Sequence, residues 1–577
     1  MWFVLACSVN AQVPVALLSP TIEPGELSGS DAKAATISET DKPYADAFVD
    51  LLKDLKMKPA DLPKLNAFIQ RYPKNDIAYY WRATISACAS QPPNLGEAES
   101  DLERYASKAH SDLFSSQETE ALALEAKIQA AGGHPLEALA LLKKAANKDL
   151  SKADRLFNQS DAKPLTTSEF CEWNLTDLNQ LASAAPHDAW PQILIGLYYR
   201  FFATFNESYY APAAAAFRKA AVLDSRSALI PYLQGELYNS ATLLVRRSWA
   251  DGADKAGESA QTMFTKAITK DPGFAPAYGS RAEVYLNTKR PALAVKDFDK
   301  ALSLDPNNNA YHTDRGIAES DLGNYYAAIS DFGDSLVAKD ENDIYLPQLY
   351  QNRADAYVKV HDLRRAVGDY TASIHLRLKS QIAVLSLQQF RSLYPEYGTV
   401  TDDALLDKLN RYFMPNFAPD VFKKMIRDNE EKKWTPSMMS DLYESRGDAY
   451  LQLGDYARGI RDFQRIYRAL PAFGDSTDRW RNLGTVGNGE TLALDVKGSD
   501  VAPDHQPRIW LKRSGPKESR VIAFAVDCTS RKVRTTSSVA YDAKGDSIGG
   551  DSGGTWDEIT PDTIGEQVWT GVCEPKP

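Results

Sequence analysis

At one matching place in four similar segments an arginine is followed sixteen residues later by an aspartate: Arg281 and Asp297, Arg315 and Asp331, Arg353 and Asp369, Arg446 and Asp462. One such couple could do acid–base work. Its recurrence at the same place in four segments points instead to a repeated packing device, because half-buried charges in helical arrays are paired and orient their neighbours. The other residues spaced for chemistry are Gly550-Asp551-Ser552-Gly553-Gly554, a serine set between glycines as a nucleophile would be. Acyl transfer there needs a histidine to take the proton and an aspartate to orient it. The nearest histidine, His505, sits in a Pro- and Asp-rich turn, so the segment reads as a flexible loop between the last strands.

The serine motif is identical to the nucleophile loop of chymotrypsin-like serine proteases, but the Ala-His-Cys context of that family is missing. The histidines are scattered, and neither a phosphate-binding glycine loop nor a dinucleotide fingerprint is present. Asp428, Glu430 and Glu431 read as a solvated helix face. The chain is therefore not read as an enzyme; no catalytic, cofactor-binding or metal-binding residue is assigned, and no cofactor. The alternative is an enzyme or enzyme subunit with a pocket in residues 377–438 or in the C-terminal β domain.

The 577 residues carry 66 basic and 77 acidic side chains for a formal charge of −11, with 44% hydrophobic content, which are globular values. With no Lys/Arg run there is little for a phosphate backbone to hold, so nucleic acid is excluded as a partner. No stretch reaches the apolar length of a transmembrane segment. The apolar start followed by Val9-Asn10-Ala11 before Gln12 reads as a secretory signal with its cleavage site; acylation of Cys7 as an outer-membrane lipid anchor is the second choice. Export makes a disulfide between Cys528 and Cys573 the stronger pairing, with Cys88 and Cys171 either bonded or buried as thiols.

The elements that must position the Arg/Asp couples are helices with a period. Around Ala275 the chain places Tyr278, Ala282 and Tyr285 on one helix, Ala294, Phe298 and Ala301 on the next, then Pro306. Small residues at Ala282 and Ala294 let the two helices approach, and the aromatics fill the space beside them. The pattern returns with Gly316, Ala328 and Phe332; with Tyr350, Ala354, Tyr357, Ala366 and Tyr370; and with Tyr443, Gly447, Tyr450 and Phe463. Upstream, Ala213-Phe217-Ala220 and Ala260-Phe264-Ala267 keep the second helix, and Ala138, Leu142 and Ala145 look like a degenerate unit. This resembles the tetratricopeptide-repeat family, whose repeat is 34 residues long, from about residue 43 to 471.

After Pro471 the texture becomes alternating and β-branched, as in Thr491–Val496, Arg508–Lys512, Arg520–Val526 and Lys532–Tyr541, with a closing helix over Pro561–Cys573. Trp480, Val526-Asp527-Cys528, Tyr541-Asp542, Gly545, Trp556, Pro561 and Cys573 come in an order that resembles the surface-adhesin protein E family, small exported bacterial domains of which some bind host matrix proteins. The expected fold is mainly α, a tetratricopeptide helical-hairpin solenoid followed by a small antiparallel β domain with a C-terminal helix. Its expected organisation is a signal peptide over 1–11, a disordered linker over 12–42, the solenoid over 43–471 with a helical insertion at 377–438, a linker over 472–479 and the adhesin E-like domain over 480–577.

The tetratricopeptide resemblance implies that the first helix of each unit lines an inner face where a peptide can lie. The residues so placed are Glu283 and Asn287; Thr313, Ser320 and Asp321; Gln351, Asp355 and Lys359; and Asp441, Glu444, Asp448 and Gln452. The set is polar and mostly acidic, which suits a protein or peptide segment offering Lys or Arg. The expected function is noncatalytic protein–protein interaction or scaffolding in the envelope of a Gram-negative bacterium, in the periplasm or at the outer surface.

Overall fold

The computed structural model describes residues 59–574, except 74–75, 90–93, 107–114, 149–172, 204–205, 246–249, 338–342, 344, 382–389, 392–399, 414–438, 470–478, 486–489, 502–505 and 561–562. The expected signal peptide, Cys7, the 12–42 linker and Cys171 lie outside these residues, as do His505, most of the 472–479 linker and much of the 377–438 insertion. By its internal contacts the chain divides at Asp314/Arg315 into two compact units.

The first unit is all helical. Its helices are α1 (Leu62–Arg71), α2 (Asp76–Thr84), α3 (Leu95–Ala106), α4 (Ser115–Ala131), α5 (Pro135–Lys148), α6 (Leu175–Ala184), α7 (Trp190–Ala203), α8 (Tyr210–Leu223), α9 (Leu229–Val245), α10 (Ala250–Lys270), α11 (Ala275–Asn287), α12 (Pro291–Leu304) and the start of α13 (Asn309–Asp321). Consecutive helices pack as antiparallel hairpins, α9 with α10 and α11 with α12 among them. The reason is the Ala-x-x-x-aromatic spacing of each second helix, which places both residues on one face. Phe217, Phe264 and Phe298 are fully buried there between alanines that are themselves buried. Local chemistry sets the helix starts. Pro291 opens α12, and Asn174 caps α6 in a reciprocal box with Asp177.

The second unit continues with the rest of α13, then α14 (Tyr325–Val337), α15 (Leu346–Lys359), α16 (Leu363–Gln381), α17 (Asp402–Phe413), α18 (Ser440–Gln452) and α19 (Tyr456–Ala469). The turns inside the hairpins share one backbone solution, a residue at positive φ just after the first helix: Gly323 at 80° and Gly454 at 77°, but His361 at 59°. Within the expected insertion, α17 contributes Leu405, Leu406 and Leu409 to the core.

The sheet is an antiparallel meander in sequence order: β1 (Trp480–Thr485), β2 (Thr491–Asp495), β3 (Arg508–Ser514), β4 (Glu518–Asp527), β5 (Lys532–Asp542) and β6 (Ser547–Ser552), with the short β7 (Asp557–Glu558) also on β5. The closing helix α20 (Ile564–Cys573) starts at Thr563, whose hydroxyl accepts from the Glu566 N–H. One inner face, with Leu492, Leu494, Ile509, Leu511, Phe524, Val526 and Val533, shares a single core with Tyr456, Ile460 and Phe463 of α19 and with Val568 and Trp569 of α20. Cys528 is disulfide-bonded to Cys573, tying α20 to the end of β4, where Trp569 Nε1 also donates to the Asp527 carbonyl at 3.1 Å.

The segment Gly545–Gly554 departs from the expected flexible loop. It forms β6, with Ser552 exposed and paired to Ser537 of β5. The glycines answer to the ladder: a Cβ on Gly550 would stand 2.6 Å from the Ser538 carbonyl oxygen, and the Gly553 and Gly554 amides donate to Thr536 and Thr535. That is a backbone reason for a run that looks like a nucleophile loop.

Candidate functional site

The Arg/Asp couples fix the rotation of each hairpin. Arg281 grips Asp297 with Nε and Nη2 at 2.7 and 2.8 Å, and Arg315–Asp331, Arg353–Asp369 and Arg446–Asp462 repeat the two-pronged geometry at 2.6–2.9 Å. The residue after each arginine is small. A Cβ on Gly316 or Gly447 would fall within 3 Å of the Phe332 or Phe463 ring, so this position faces the second helix. At about 100° per residue, the next residue turns away from that contact. It is Glu283, Asp355 and Asp448 in three units, and Glu236 after Gly235 in a fourth.

In the first unit three successive first helices bring acids together: Glu236 from α9, Glu283 from α11 and Asp314 from α13. Tyr311 is set against α11, where a Cβ on Gly279 would meet its ring at 2.3 Å. Glu283 is deeply set with part of its surface still open. Burial first, then the Glu236 and Asp314 charges, push its carboxyl up to about 8. Among the described residues no donor or cation reaches it.

In the second unit the equivalent acids have partners. Asp355 accepts from the Tyr370 hydroxyl at 2.5 Å. Asp448 and Glu444, one turn apart on α18, receive Arg481 of β1 through Nη1 at 3.4 Å and Nη2 at 2.5 Å, and the guanidinium lies 4.6 Å from the centroid of Phe463. Burial raises the Asp448 carboxyl to about 6 against the opposing pull of Arg481.

Residues 275–308, one arginine-paired hairpin, match the tetratricopeptide repeat family model. That hairpin matches a tetratricopeptide repeat, and the other hairpins share its helical, TPR-like fold. Hsc70-interacting protein 1 of Drosophila melanogaster is 30% identical over 119 residues, 20% of this chain and 31% of that protein. A FAM10 family protein of Arabidopsis thaliana is 39% identical over 68 residues, 12% of this chain and 15% of that one. The chain thus spans less than a third of the length of either relative. Among solved structures, YrrB, a TPR protein described as having an unusual peptide-binding site, is 21% identical over 34% of this chain and 91% of its own, with a TM-score of 0.27. PilF of Pseudomonas aeruginosa is 18% identical over 46% of this chain and 92% of its own, with a TM-score of 0.28.

Of the residues expected on the inner face of the tetratricopeptide array, Glu444 and Asp448 meet each other on Arg481, and Glu283 joins an acidic group. Gln351 accepts from Arg377 of α16 at 2.8 Å, and Thr313 bonds back to the Asn309 carbonyl of its own helix. Asn287 is half-buried, while Asp321, Lys359 and Gln452 are exposed. Sequence reasoning did not reach Glu236, Asp314 or Arg481. Glu236 hides because Gln234 replaces the paired arginine and Phe264 follows at a longer spacing; the usable signal was Gly235, whose added Cβ would collide with Phe264 at 2.5 Å. A further ion couple between the two helices of a hairpin, Arg82 with Asp101 at 2.7 Å, escaped because its offset is nineteen residues and not sixteen.

Proposed function

We propose that this noncatalytic tetratricopeptide protein holds an extended, basic segment of a protein partner against its first helices, in the envelope of a Gram-negative bacterium. The observation that carries the reading is Arg481, an arginine from an extended strand seated on two first-helix acids and stacked on an aromatic ring. It is the kind of contact a basic ligand would make, charge-assisted and half-desolvated. Export is supported by the start of the chain and by the Cys528–Cys573 bond, since disulfides persist in oxidising compartments. The sheet and α20 serve as an adhesin E-like element on the order of residues from Trp480 to Cys573.

The experiment is capture from the envelope fraction with the full chain, because α19, the sheet and α20 share one core and do not separate cleanly. Partner retention that falls with salt, and falls further in a Glu283→Gln, Asp355→Asn double variant, is the expected result. Retention with the same salt dependence in wild type and variant would move the binding surface elsewhere. Fractionation and N-terminal sequencing of the mature chain test the address; an unprocessed chain in the cytoplasm rejects it.

A further inference from the structure

We propose that the face of the sheet turned away from α19 and α20 binds an acidic oligosaccharide, a chain of sugar rings bearing carboxylate or sulfate groups. Alternation along the strands defines that face. Ile509 and Leu511 of β3, Phe524 and Val526 of β4 and Val533 of β5 lie in the core, so Arg508, Trp510 and Lys512, Ala523 and Ala525, and Arg534 belong to the other side. The register sets them in rows across the strands. Arg508 and Arg534 flank Ala525, one strand away on either side and about 10 Å apart at the backbone. Trp510 and Ser537 flank Ala523 in the next row, which ends on Ser552 of β6. Ser552, from the run that looks like a nucleophile loop, thereby supplies a hydroxyl at the rim.

The cations of this face have no acid to hold. Among the described residues the side chains of Arg508, Lys512 and Arg534 enter no ion pair or hydrogen bond, and Arg534 Nε is buried without an acceptor. Arg479, Arg481 and Arg513, in and beside the same sheet, each hold an acid. Arg534 lies over the Trp556 ring, 5.0 Å from its centroid, so its place is set before a ligand arrives. The complement is an anion, which two guanidiniums and an ammonium would meet with charge-assisted bonds. Asp527 and Glu558 flank Lys532 in the row beyond Arg508 and Arg534, so an anionic chain runs the other way, over Trp510 toward Lys512. The relief of the face selects the kind of anion. Ala523 and Ala525 are each 3% exposed, closed over by their neighbours, and leave no hole for the side-chain anchor that holds a protein partner. What remains is half-buried indole, at Trp510 and Trp556, beside cations. That suits a rigid ring that is apolar on its face and acidic at its edge, as a uronate or a sulfated sugar is. A nucleic-acid strand would need a longer basic track than three cations in a chain of formal charge −11.

The test uses the full chain and three hexasaccharide probes: oligogalacturonate, a heparin fragment and neutral cellohexaose. Isothermal titration is expected to show an acidic probe binding about tenfold or more tighter than cellohexaose, and the acidic probe that wins separates carboxylate from sulfate. Arg508→Gln and Arg534→Gln should each weaken that binding about tenfold, and Trp510→Leu comparably, with unchanged circular dichroism. Arg520→Gln, which removes an exposed cation outside these rows, should not. If a variant misfolds, hydroxyl-radical footprinting of wild type decides: the acidic probe protects Trp510 and Trp556, and cellohexaose does not. Equal binding of acidic and neutral probes, arginine variants with wild-type affinity, or no protection of either tryptophan overturns the assignment. So does tighter binding of a hexaglutamate peptide or a thymidine oligonucleotide at the same residues, which would make the face a protein or nucleic-acid surface. The first-helix acids take no part, so either outcome leaves the partner-binding reading as it is.

Discussion

Arg446 donates through Nη1 to the Thr371 hydroxyl at 3.0 Å while its other two nitrogens hold Asp462, so one guanidinium joins its own hairpin to α16. Arg281 does the same with Thr265 of α10, also at 3.0 Å. Arg353 stands where the corresponding residue is Gly333, and a Cβ built there would meet only Arg353 Nη1, at 4.0 Å.

Gly333→Thr should therefore add the missing contact. It is expected to stabilise the protein by about 1 kcal/mol, part from replacing a helical glycine and part from a hydroxyl bonded to a charged donor. Gly333→Ala supplies only the helix part. Urea midpoints of the two variants, repeated in an Arg353→Lys background, separate the contributions, and a threonine no better than alanine refutes the contact.

Asp462 is nearly inaccessible and receives both Arg446 and Arg465, each at 2.7 Å. Asp462→Asn would leave two buried guanidiniums short of a counter-charge, a loss of about 3–5 kcal/mol. Asp331→Asn faces an arginine that is more open, 24% exposed against 6% for Arg446, and should cost less. Thermal unfolding of the two variants side by side checks the order.

The pH dependence of stability should carry the signature of Glu283. Its folded carboxyl is raised to about 8 from an ordinary value of 4.5, so the folded state holds the proton more tightly. That contribution is fully present below pH 4.5 and is lost as pH rises through 8. Wild type should accordingly weaken over this window relative to Glu283→Gln, by up to about 4 kcal/mol at pH 8. Parallel curves for the two proteins would contradict the burial of the carboxyl among acids.

His361 adopts the left-handed turn that Gly323 and Gly454 supply in other hairpins. Side chains pay about 1 kcal/mol there, and glycine returns part of the gain through its freer unfolded chain. His361→Gly should stabilise by about 0.5 kcal/mol, whereas the same change at Lys359, on the preceding helix, should destabilise. Differential scanning calorimetry distinguishes the two signs.

Cys528 and Cys573 close a loop with a sequence separation of 45 residues. By chain entropy the bond stabilises by about 4 kcal/mol. Alkylation with mass analysis should find neither cysteine labelled before reduction, and Cys573→Ala should lower the unfolding midpoint of the sheet and α20. Free thiols in the mature protein would count against export.

The hairpins were legible because their packing is written at fixed spacing: alanine, aromatic and the Arg/Asp couple all serve contacts inside one unit. The strands from Thr491 to Tyr541 were legible for the same local reason, alternation against one buried face. What could not be read depends on neighbours far away in sequence. Arg481 gains its meaning only from Glu444 and Asp448, thirty-seven and thirty-three residues upstream. The run at Ser552 looked like chemistry until its glycines were seen to make room for β5. Glu236 lost its signature when Gln234 took the arginine's place.

The shared core of α19, the sheet and α20 has a consequence for how such a chain can lengthen. A repeat array grows by copying a unit and inserting the copy where any neighbour will do. Here the last hairpin is fitted to strands: Tyr456 packs so closely on α20 that a Cβ on Gly571 would stand 2.5 Å from its ring, and Gln464 donates to the Ser499 carbonyl at 2.8 Å. A duplicated unit placed after α19 would present generic helix to a surface shaped for Tyr456, Ile460 and Phe463. Tandem duplication is thus open only upstream of α18, and among relatives with different numbers of repeats the final hairpin and the sheet should travel as one inherited block.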